Sequence, residues 1–364
     1  MRVLMLSHSV AYWTSLYARP FIDRGDVLRV LSFSPEPMDG VEMEFIGIDP
    51  WSEHKHAYIS KIPHIQKRIR QFKPDVVLAT YVSSNGLAAV LSWGGPTVVS
   101  AHGGDVLEQE GRRGLRRWVR RAMARFVCGR SALVHTVSHE MDAELLGMGV
   151  PISKIVRIPV GIDTKRFGPA DDMPRVQGCR LICTRKHQPI YDIPTIIRAL
   201  GRLHKSGRDF HCALLGGGPL LQQHEAMAQD LGLQDKVTFT GALNSEQMPP
   251  LLQHADVYIS SSLSDGTSSA LLEGMAAGLL PVVTRIPANE PWIKHGSTGL
   301  LFDAGRSDQL ADMLVRAMDD SELRDRAFTE NRRLVESEGD IHENMRRYVQ
   351  AVDDVVARRN GRGK

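Results

Sequence analysis

Short apolar runs alternating with helix-forming stretches along the whole chain predict an α/β fold of two domains, each a mainly parallel sheet covered by helices. Three observations carry this. The first half contains RVLMLS at 2–7, VLRVLSFS at 27–34, DVVLATY at 75–81, PTVVSAH at 96–102 and ALVHTVS at 132–138, separated by stretches of helical composition. The polar segment 160–178, VGIDTKRFGPADDMPRVQG, carries two prolines, and after it the alternation restarts with CRLICTR, FHCALLGGG, VTFTGAL, DVYISSS and LPVVTRI. A chain of 364 residues, 42% hydrophobic and 24% charged, has room for about two domains of ordinary size. The domain boundary is therefore expected in the 160–178 linker. From residue 307 onward the chain is charged and helical, ending in a frayed tail, ARRNGRGK.

Both halves are consistent with Rossmann-like sheets, yet neither carries G-x-G-x-x-G after its first strand, which disfavours nicotinamide and flavin cofactors. No apolar run approaches the roughly 20 residues needed to span a bilayer. Residues 1–8 lack the regions of a signal peptide, so a cytoplasmic location is expected. Cys128, Cys179, Cys183 and Cys212 form no C-x-x-C pair and sit among apolar neighbours, as free and mostly buried thiols do. The net charge of +3 is too small to imply nucleic-acid binding, but it is unevenly spread. Residues 111–127, GRRGLRRWVRRAMARFV, carry Arg112, Arg113, Arg116, Arg117, Arg120, Arg121 and Arg125, with Leu115, Trp118, Val119, Met123 and Phe126 at helical spacing. This predicts a basic amphipathic helix suited to an anionic membrane surface, or else a solvated face of an ordinary domain helix.

In open α/β sheets ligands bind beyond the carboxyl ends of strands, so the residues after each apolar run are the candidates for chemistry. DVYISSS leads into SDGTSSALLEGMAAGLLPVV at 264–283, where Asp265 precedes four small residues, Gly266, Thr267, Ser268 and Ser269, and Glu273 follows. The small residues open a helix start, with Ser268 or Ser269 as its N-cap and Gly278 as its stop. Unpaired amides and the positive end of the helix dipole there suit a phosphate. Glu273 lies about one turn in and points back toward that start, with Asp265 on the loop before it. Two acids beside a diphosphate repel it, so they make sense as acceptors for hydroxyls on either side, a ribose on one and a sugar on the other. The bland alternative is an ordinary capped helix with a solvated acid and a turn aspartate.

Three further places add to this. Arg185 and Lys186 follow CRLIC and supply positive charge for a diphosphate, at about 1.5–3 kcal/mol per charged hydrogen bond. In LLGGGPLL at 214–221, Gly217 and Gly218 sit among three glycines that allow close backbone approach, although a plain tight turn reads the same way. SAHGGDV places His102 after a strand of the first half, where an imidazole can hydrogen-bond a transferred group or move a proton. No D-x-D pair follows an apolar strand, which disfavours a magnesium-dependent design, so no metal and no cofactor are expected.

With these residues in place, the chain resembles the GT-B glycosyltransferases, in particular the retaining family 4, over nearly its whole length. TSLYARPFIDRGDVLRVLSFSP, VVSAHGGDV and VHTVSHEMDAELLGMGVPISKIVRIPVGIDTKRFGP resemble its first domain; LLGGGPL, VTFTGAL and SDGTSSALLEGMAAGLLPVVTRIPANEPWIKHGSTGLLF resemble its donor domain. The resemblance implies an α/β GT-B architecture, two Rossmann-like domains facing a central cleft. Residues 1–169 would form the acceptor-side domain, 170–339 the nucleotide-sugar donor domain, and a C-terminal helix at about 340–364 would pack back on the first. It also implies that Asp265 takes the place of the first acid of the family's E-x7-E motif, contacting the donor sugar, while Glu273 holds the ribose hydroxyls. Arg185 matches the pyrophosphate arginine and His102 the histidine near the transferred sugar. Three departures stand out. Asp265 is one methylene shorter than the usual glutamate. Ile190 stands where a second pyrophosphate cation, a lysine, is common, leaving Lys186 as the substitute. The opening loop SHSVAYWTS lacks paired glycines, leaving His8 as the acceptor-side contact.

The function expected is a metal-independent, retaining, hexosyltransferase-type enzyme acting with a nucleotide diphosphate sugar on a glycan or lipid-linked acceptor. It would serve cell-surface polysaccharide or glycoconjugate biosynthesis, peripherally on the inner face of the cell membrane, with no nucleic-acid partner. A nucleotide-sugar epimerase, a sugar-phosphate synthase, or an inactive donor-binding scaffold on the same fold are the alternatives.

Overall fold

The computed structural model describes residues 1–7, 11–33, 40–47, 56–102, 106–107, 115–169 and 178–361. The chain divides into two compact units, Met1–Pro159 with His342–Lys364, and Val160–Ile341.

The first unit is built on a seven-stranded parallel sheet of β1 (Arg2–Ser7), β2 (Val27–Ser32), β3 (Glu42–Phe45), β4 (Val76–Thr80), β5 (Thr97–Ser100), β6 (Leu133–Thr136) and β7 (Ile155–Arg157), in the order 3-2-1-4-5-6-7. Its helices are α1 (Ala11–Asp23), α2 (His56–Ser60), α3 (Ile62–Phe72), α4 (Leu87–Ser92), α5 (Leu115–Arg130) and α6 (His139–Gly147). Residues 3–6 and 76–79 are buried without a break, which is why these strands read as continuous apolar runs rather than alternating ones.

The second unit carries β8 (Cys179–Cys183), β9 (Phe210–Leu215), β10 (Val237–Gly241), β11 (Val257–Ser260), β12 (Leu280–Thr284) and β13 (Leu300–Phe302), all parallel in the order 10-9-8-11-12-13. Its helices are α7 (Ile193–Lys205), α8 (Leu221–Asp230), α9 (Met248–Gln253), α10 (Ser269–Ala276), α11 (Ser307–Asp319) and α12 (Ser321–Glu338); the last helix, α13, runs over Ile341–Gly361. Successive strand residues face opposite sides. Leu181 and Cys183 join the cluster that buries Ile193, Ile196, Ile197, Leu200 and Leu203 of α7. Ile182 between them joins the other cluster, with Leu271, Leu272 and Met275 of α10. The 3- and 4-residue spacing of the α7 positions is what makes that segment a helix against the sheet.

Residues 160–169, expected with the first domain, belong to the second unit. The cause is hydrogen bonding that polar composition does not reveal. Ile162 donates to Gly339 O at 2.8 Å and accepts from Ile341 N at 2.9 Å. Thr164 Oγ1 donates to Asp340 at 2.6 Å, and Gln253 Nε2 to Gly168 O at 2.8 Å. From His342 the chain counts with the first unit, where the Tyr348 ring lies 5.1 Å from Tyr17 and 5.0 Å from His135, and Arg24 pairs with Asp353.

Candidate functional site

In the second sheet the strand order reverses between β8 and β11, which pair directly with one another. A crevice opens beyond the carboxyl ends of strands at such a switch point. Arg185 follows β8 there, and the Asp265 loop follows β11.

Ser268 is the N-cap of α10: its Oγ accepts from Leu271 N at 3.2 Å. The same oxygen accepts from Arg185 Nη2 at 2.7 Å, and that nitrogen also donates to the Asp265 carboxylate. Arg185 Nε reaches Ser260 Oγ at 3.4 Å, and the guanidinium lies over the Tyr191 ring at 4.9 Å. The arginine side chain is only 11% exposed and Asp265 only 21%, so this is an ion pair largely removed from water. Asp265 Oδ1 accepts from Gly266 N at 2.9 Å, which turns the loop into the helix start. Thr267 is half-buried and Ser269 exposed at the first helical position. Among the described residues, the amides of Ser269 and Ala270 have no acceptor, as the first turn of a helix requires.

Glu273 is half-buried rather than solvated. Burial pushes its carboxyl up to about 7, against the opposing pull of Arg185 and Arg166. The acid therefore gives up its proton near neutrality, where a hydroxyl-accepting carboxylate is needed.

The glycine loop after β9 is joined to the Arg185 turn backbone to backbone. Gly216 and Gly218 have φ of +114° and +154°, and a Cβ would lie 2.9 Å from Arg185 O at the first and 2.4 Å from His187 O at the second. Only glycine fits either place. Gly216 N donates to Gly241 O at 2.9 Å and His187 N to Gly217 O at 3.0 Å. The amides of Gly217 and Gly218 are left without an acceptor among the described residues. Lys186 is exposed and pairs with no acid among them. Arg185, Asp265 and Ser268 thus form one bonded cluster, with the glycine loop fixed to its backbone and Glu273 within its field.

In the first unit, His102 lies just past β5, half-buried, its ring 5.6 Å from that of Tyr17 and 4.9 Å from that of Tyr81. Burial, with His135 nearby, pushes its imidazole down to about 3. His102 is neutral at ordinary pH and suits hydrogen bonding better than carrying a proton. Residues 103–105 and His8 lie outside the described residues, as do Arg112 and Arg113 of the basic stretch.

Helix α5 packs its small residues inward and leaves large apolar ones outside. Ala124, Val127 and Cys128 are buried, whereas Trp118 is 68% exposed, Val119 49% and Phe126 39%. Small residues are needed inside because the helix crowds the turn after β4, where a Cβ on Gly86 would lie 3.1 Å from Val127. The exposed face mixes these apolar groups with Arg125 and with Arg130, which stacks over Phe126 at 5.1 Å. Arg121 pairs with Glu144, and Arg120 donates to Leu107 O.

Sequence reasoning missed Tyr191, Ser260, His187 and Tyr81. Tyr191 and Ser260 join the site through their contacts with Arg185. Tyr81 opens a π-helical turn after β4 with φ +66°, an unusual value for a bulky residue and common near ligand sites. The one signal available was its place directly after a strand.

Two family models match the chain, Glycosyltransferase Family 4 over residues 16–166 and Glycosyl transferases group 1 over residues 184–334. A GDP-mannose-dependent alpha-(1-6)-phosphatidylinositol monomannoside mannosyltransferase of Mycobacterium tuberculosis (strain ATCC 25618 / H37Rv) is 29% identical over 194 residues, 49% of this chain and 49% of that one. A D-inositol 3-phosphate glycosyltransferase of Paenarthrobacter aurescens (strain TC1) is 25% identical over 289 residues, 74% of this chain and 70% of that one. The chain thus spans about half the length of the mannosyltransferase it matches. Among solved structures, a glycosyltransferase from Rickettsia africae ESF-5 superposes with a TM-score of 0.81 at 16% identity, covering 98% of both chains. Anabaena HepE in complex with UDP gives 0.79 at 16% identity, covering 97% of this chain and 100% of that one. At such identity these likenesses bear on the fold alone.

Proposed function

Since the chain belongs to the GT-B glycosyltransferases, we propose that it moves a sugar, with retention and without a metal, from a nucleotide diphosphate sugar to a glycan or lipid-linked acceptor in cell-surface polysaccharide or glycoconjugate biosynthesis. The observation that carries this is the Arg185 cluster: one guanidinium at the start of α10, its backbone against a glycine loop whose Gly217 and Gly218 amides have no acceptor among the described residues. Cations and amides of this kind suit the charge that builds on a leaving diphosphate.

In this reading the bond from the sugar C1 to the diphosphate oxygen breaks and the acceptor oxygen bonds to C1 on the same face. The acceptor proton passes to the freed phosphate oxygen. Arg185, with Lys186 and the amides of Gly217, Gly218, Ser269 and Ala270, stabilises the diphosphate; Gly266, Thr267 and Ser268 keep the approach free of bulk. Glu273 accepts from the ribose hydroxyls. Asp265 exchanges Arg185 for a hydroxyl of the sugar, and neutral His102 hydrogen-bonds the transferred group. His8 is assigned to the acceptor. The names of the similar proteins support both ends: HepE was solved with UDP-glucose, and the mycobacterial relative acts on a phosphatidylinositol mannoside. The exposed Trp118, Val119 and Phe126 beside arginines support peripheral binding of α5 to an anionic membrane. No helix of the described residues is long and apolar enough to cross a membrane.

Melting the protein against a panel of nucleotide diphosphate sugars tests this, because a ligand that binds only the folded state raises apparent stability. One donor is expected to raise the midpoint, and NMR of the product formed with a suitable acceptor to show a retained anomer. No shift with any donor, or an inverted product, contradicts the reading. The Arg185–Asp265 pair favours a second reading, a donor-binding scaffold in which the pair never opens. Calorimetric binding without turnover on any acceptor would support it.

A further inference from the structure

Beneath the glycine loop two histidines meet. His187 ends the turn after β8 and His224 lies one turn into α8, 0% and 1% exposed, with their Nδ1 atoms 2.7 Å apart and their rings inclined at 44°. The His187 backbone brackets the loop, donating to Gly217 O at 3.0 Å and accepting from Leu220 N at 3.1 Å. Its ring lies 5.8 Å from that of Phe239. Burial holds both imidazoles below their ordinary value, His187 at about 4 with His224 adding to the effect, while Asp192 pulls His224 the other way. Two neutral rings meeting through Nδ1 atoms need one proton between them. His187 Nε2 is buried without a partner among the described residues. We therefore assign the proton to His187 Nδ1, which leaves a bare lone pair inside the protein rather than a stranded N–H. His224 Nδ1 accepts it.

We propose that the His187–His224 hydrogen bond is a latch tying the glycine loop and the first turn of α8 to the turn after β8, and so positioning the Gly217 and Gly218 amides for the donor diphosphate. The loop's role rests on the donor reading above; the latch itself does not. Both histidines are positioning residues. Neither is required to touch the donor. Three glycines in a row cost the loop more chain entropy than any other sequence, so a side-chain tie has the largest effect there.

Two substitutions separate a tie from simple packing. His187→Phe keeps the ring volume and loses the bond; His187→Asn loses the ring but places an amide where Nδ1 sits. Hydrogen exchange of the bonded loop amides of Gly216, Leu220 and Leu221 in the full chain is expected to speed up about tenfold in His187→Phe and in His224→Phe, the size of one net hydrogen bond. His187→Asn is expected to stay within about twofold of the parent. UDP or GDP binding, measured by calorimetry, is expected to weaken in the same order. A packing role predicts the reverse, with Asn, which leaves a void against Phe239, as the looser variant. Exchange in Phe equal to the parent, or in Asn equal to Phe, overturns the latch. If the parent binds neither UDP nor GDP but the exchange pattern holds, the donor reading falls and the latch stands.

Discussion

Replacing Glu273 by glutamine should make the free protein more stable while making it a poorer nucleotide binder. Burial raises this carboxyl from an ordinary value of 4.5 to about 7. A carboxyl with a raised folded value holds its proton more tightly folded than unfolded, so stability falls as pH rises from about 4.5 to about 7 and then levels off. The rise corresponds to a cost of about 3 kcal/mol at pH 8, shrinking below about 1 kcal/mol at pH 5. Glutamine is nearly isosteric and cannot ionise, so it escapes that cost. At about 2–4 °C per kcal/mol for a domain of this size, Glu273→Gln should raise the melting midpoint by roughly 6–12 °C at pH 8 and by much less at pH 5. Binding should move the other way. If only the ionised acid holds the ribose hydroxyls, nucleoside diphosphate affinity in the parent should fall about tenfold from pH 8 to pH 6, and the glutamine variant should be weaker and nearly flat. Paired melting curves and calorimetry at the two pH values check both halves. A variant that melts no higher than the parent at pH 8, or that keeps the parent's pH profile of binding, would refute the reasoning. Residues that cost stability in the empty site are expected where function needs them.

Other substitutions probe the rest of the cluster. Asp265→Asn should lower turnover about 10- to 100-fold, the range of one charged hydrogen bond, while leaving UDP or GDP affinity unchanged or tighter because Arg185 is released from its partner; equal losses in both assays count against this. Arg185→Ala should weaken nucleoside diphosphate binding by at least about tenfold and also lower the melting midpoint, since it strands Asp265 in a largely buried place. Vesicles with anionic lipid should sediment the protein at low salt and release it at high salt, with Trp118→Ala weakening the association; no binding at low salt removes the membrane role of α5.

Much of the fold could be read directly, because parallel strands buried on both faces, such as β1 and β4, leave unbroken apolar runs. Ser268 was legible as a cap and Gly218 as a loop glycine for local reasons, a hydroxyl before a helix and a positive φ. What could not be read is tertiary. Arg185 and Asp265 are 80 residues apart, and His187 and His224 37, so neither partnership leaves a local mark. The place where a lysine was expected shows the same limit. Ile190 O is tied to Leu263 N at 2.9 Å, and the next residue, Tyr191, brings a ring rather than a charge beneath Arg185. In α5 two apolar stripes compete, and only packing decides that Ala124 and Val127 go inside while Trp118 stays out.

A crystal structure of the chain with UDP or GDP, whichever binds, measures the central claim most directly. The diphosphate is expected at the start of α10, with oxygens within about 3.2 Å of Arg185 and of the amides of Ser269 or Ala270, and the ribose hydroxyls on Glu273. A nucleotide seated elsewhere, with Arg185 still closed on Asp265, would contradict it.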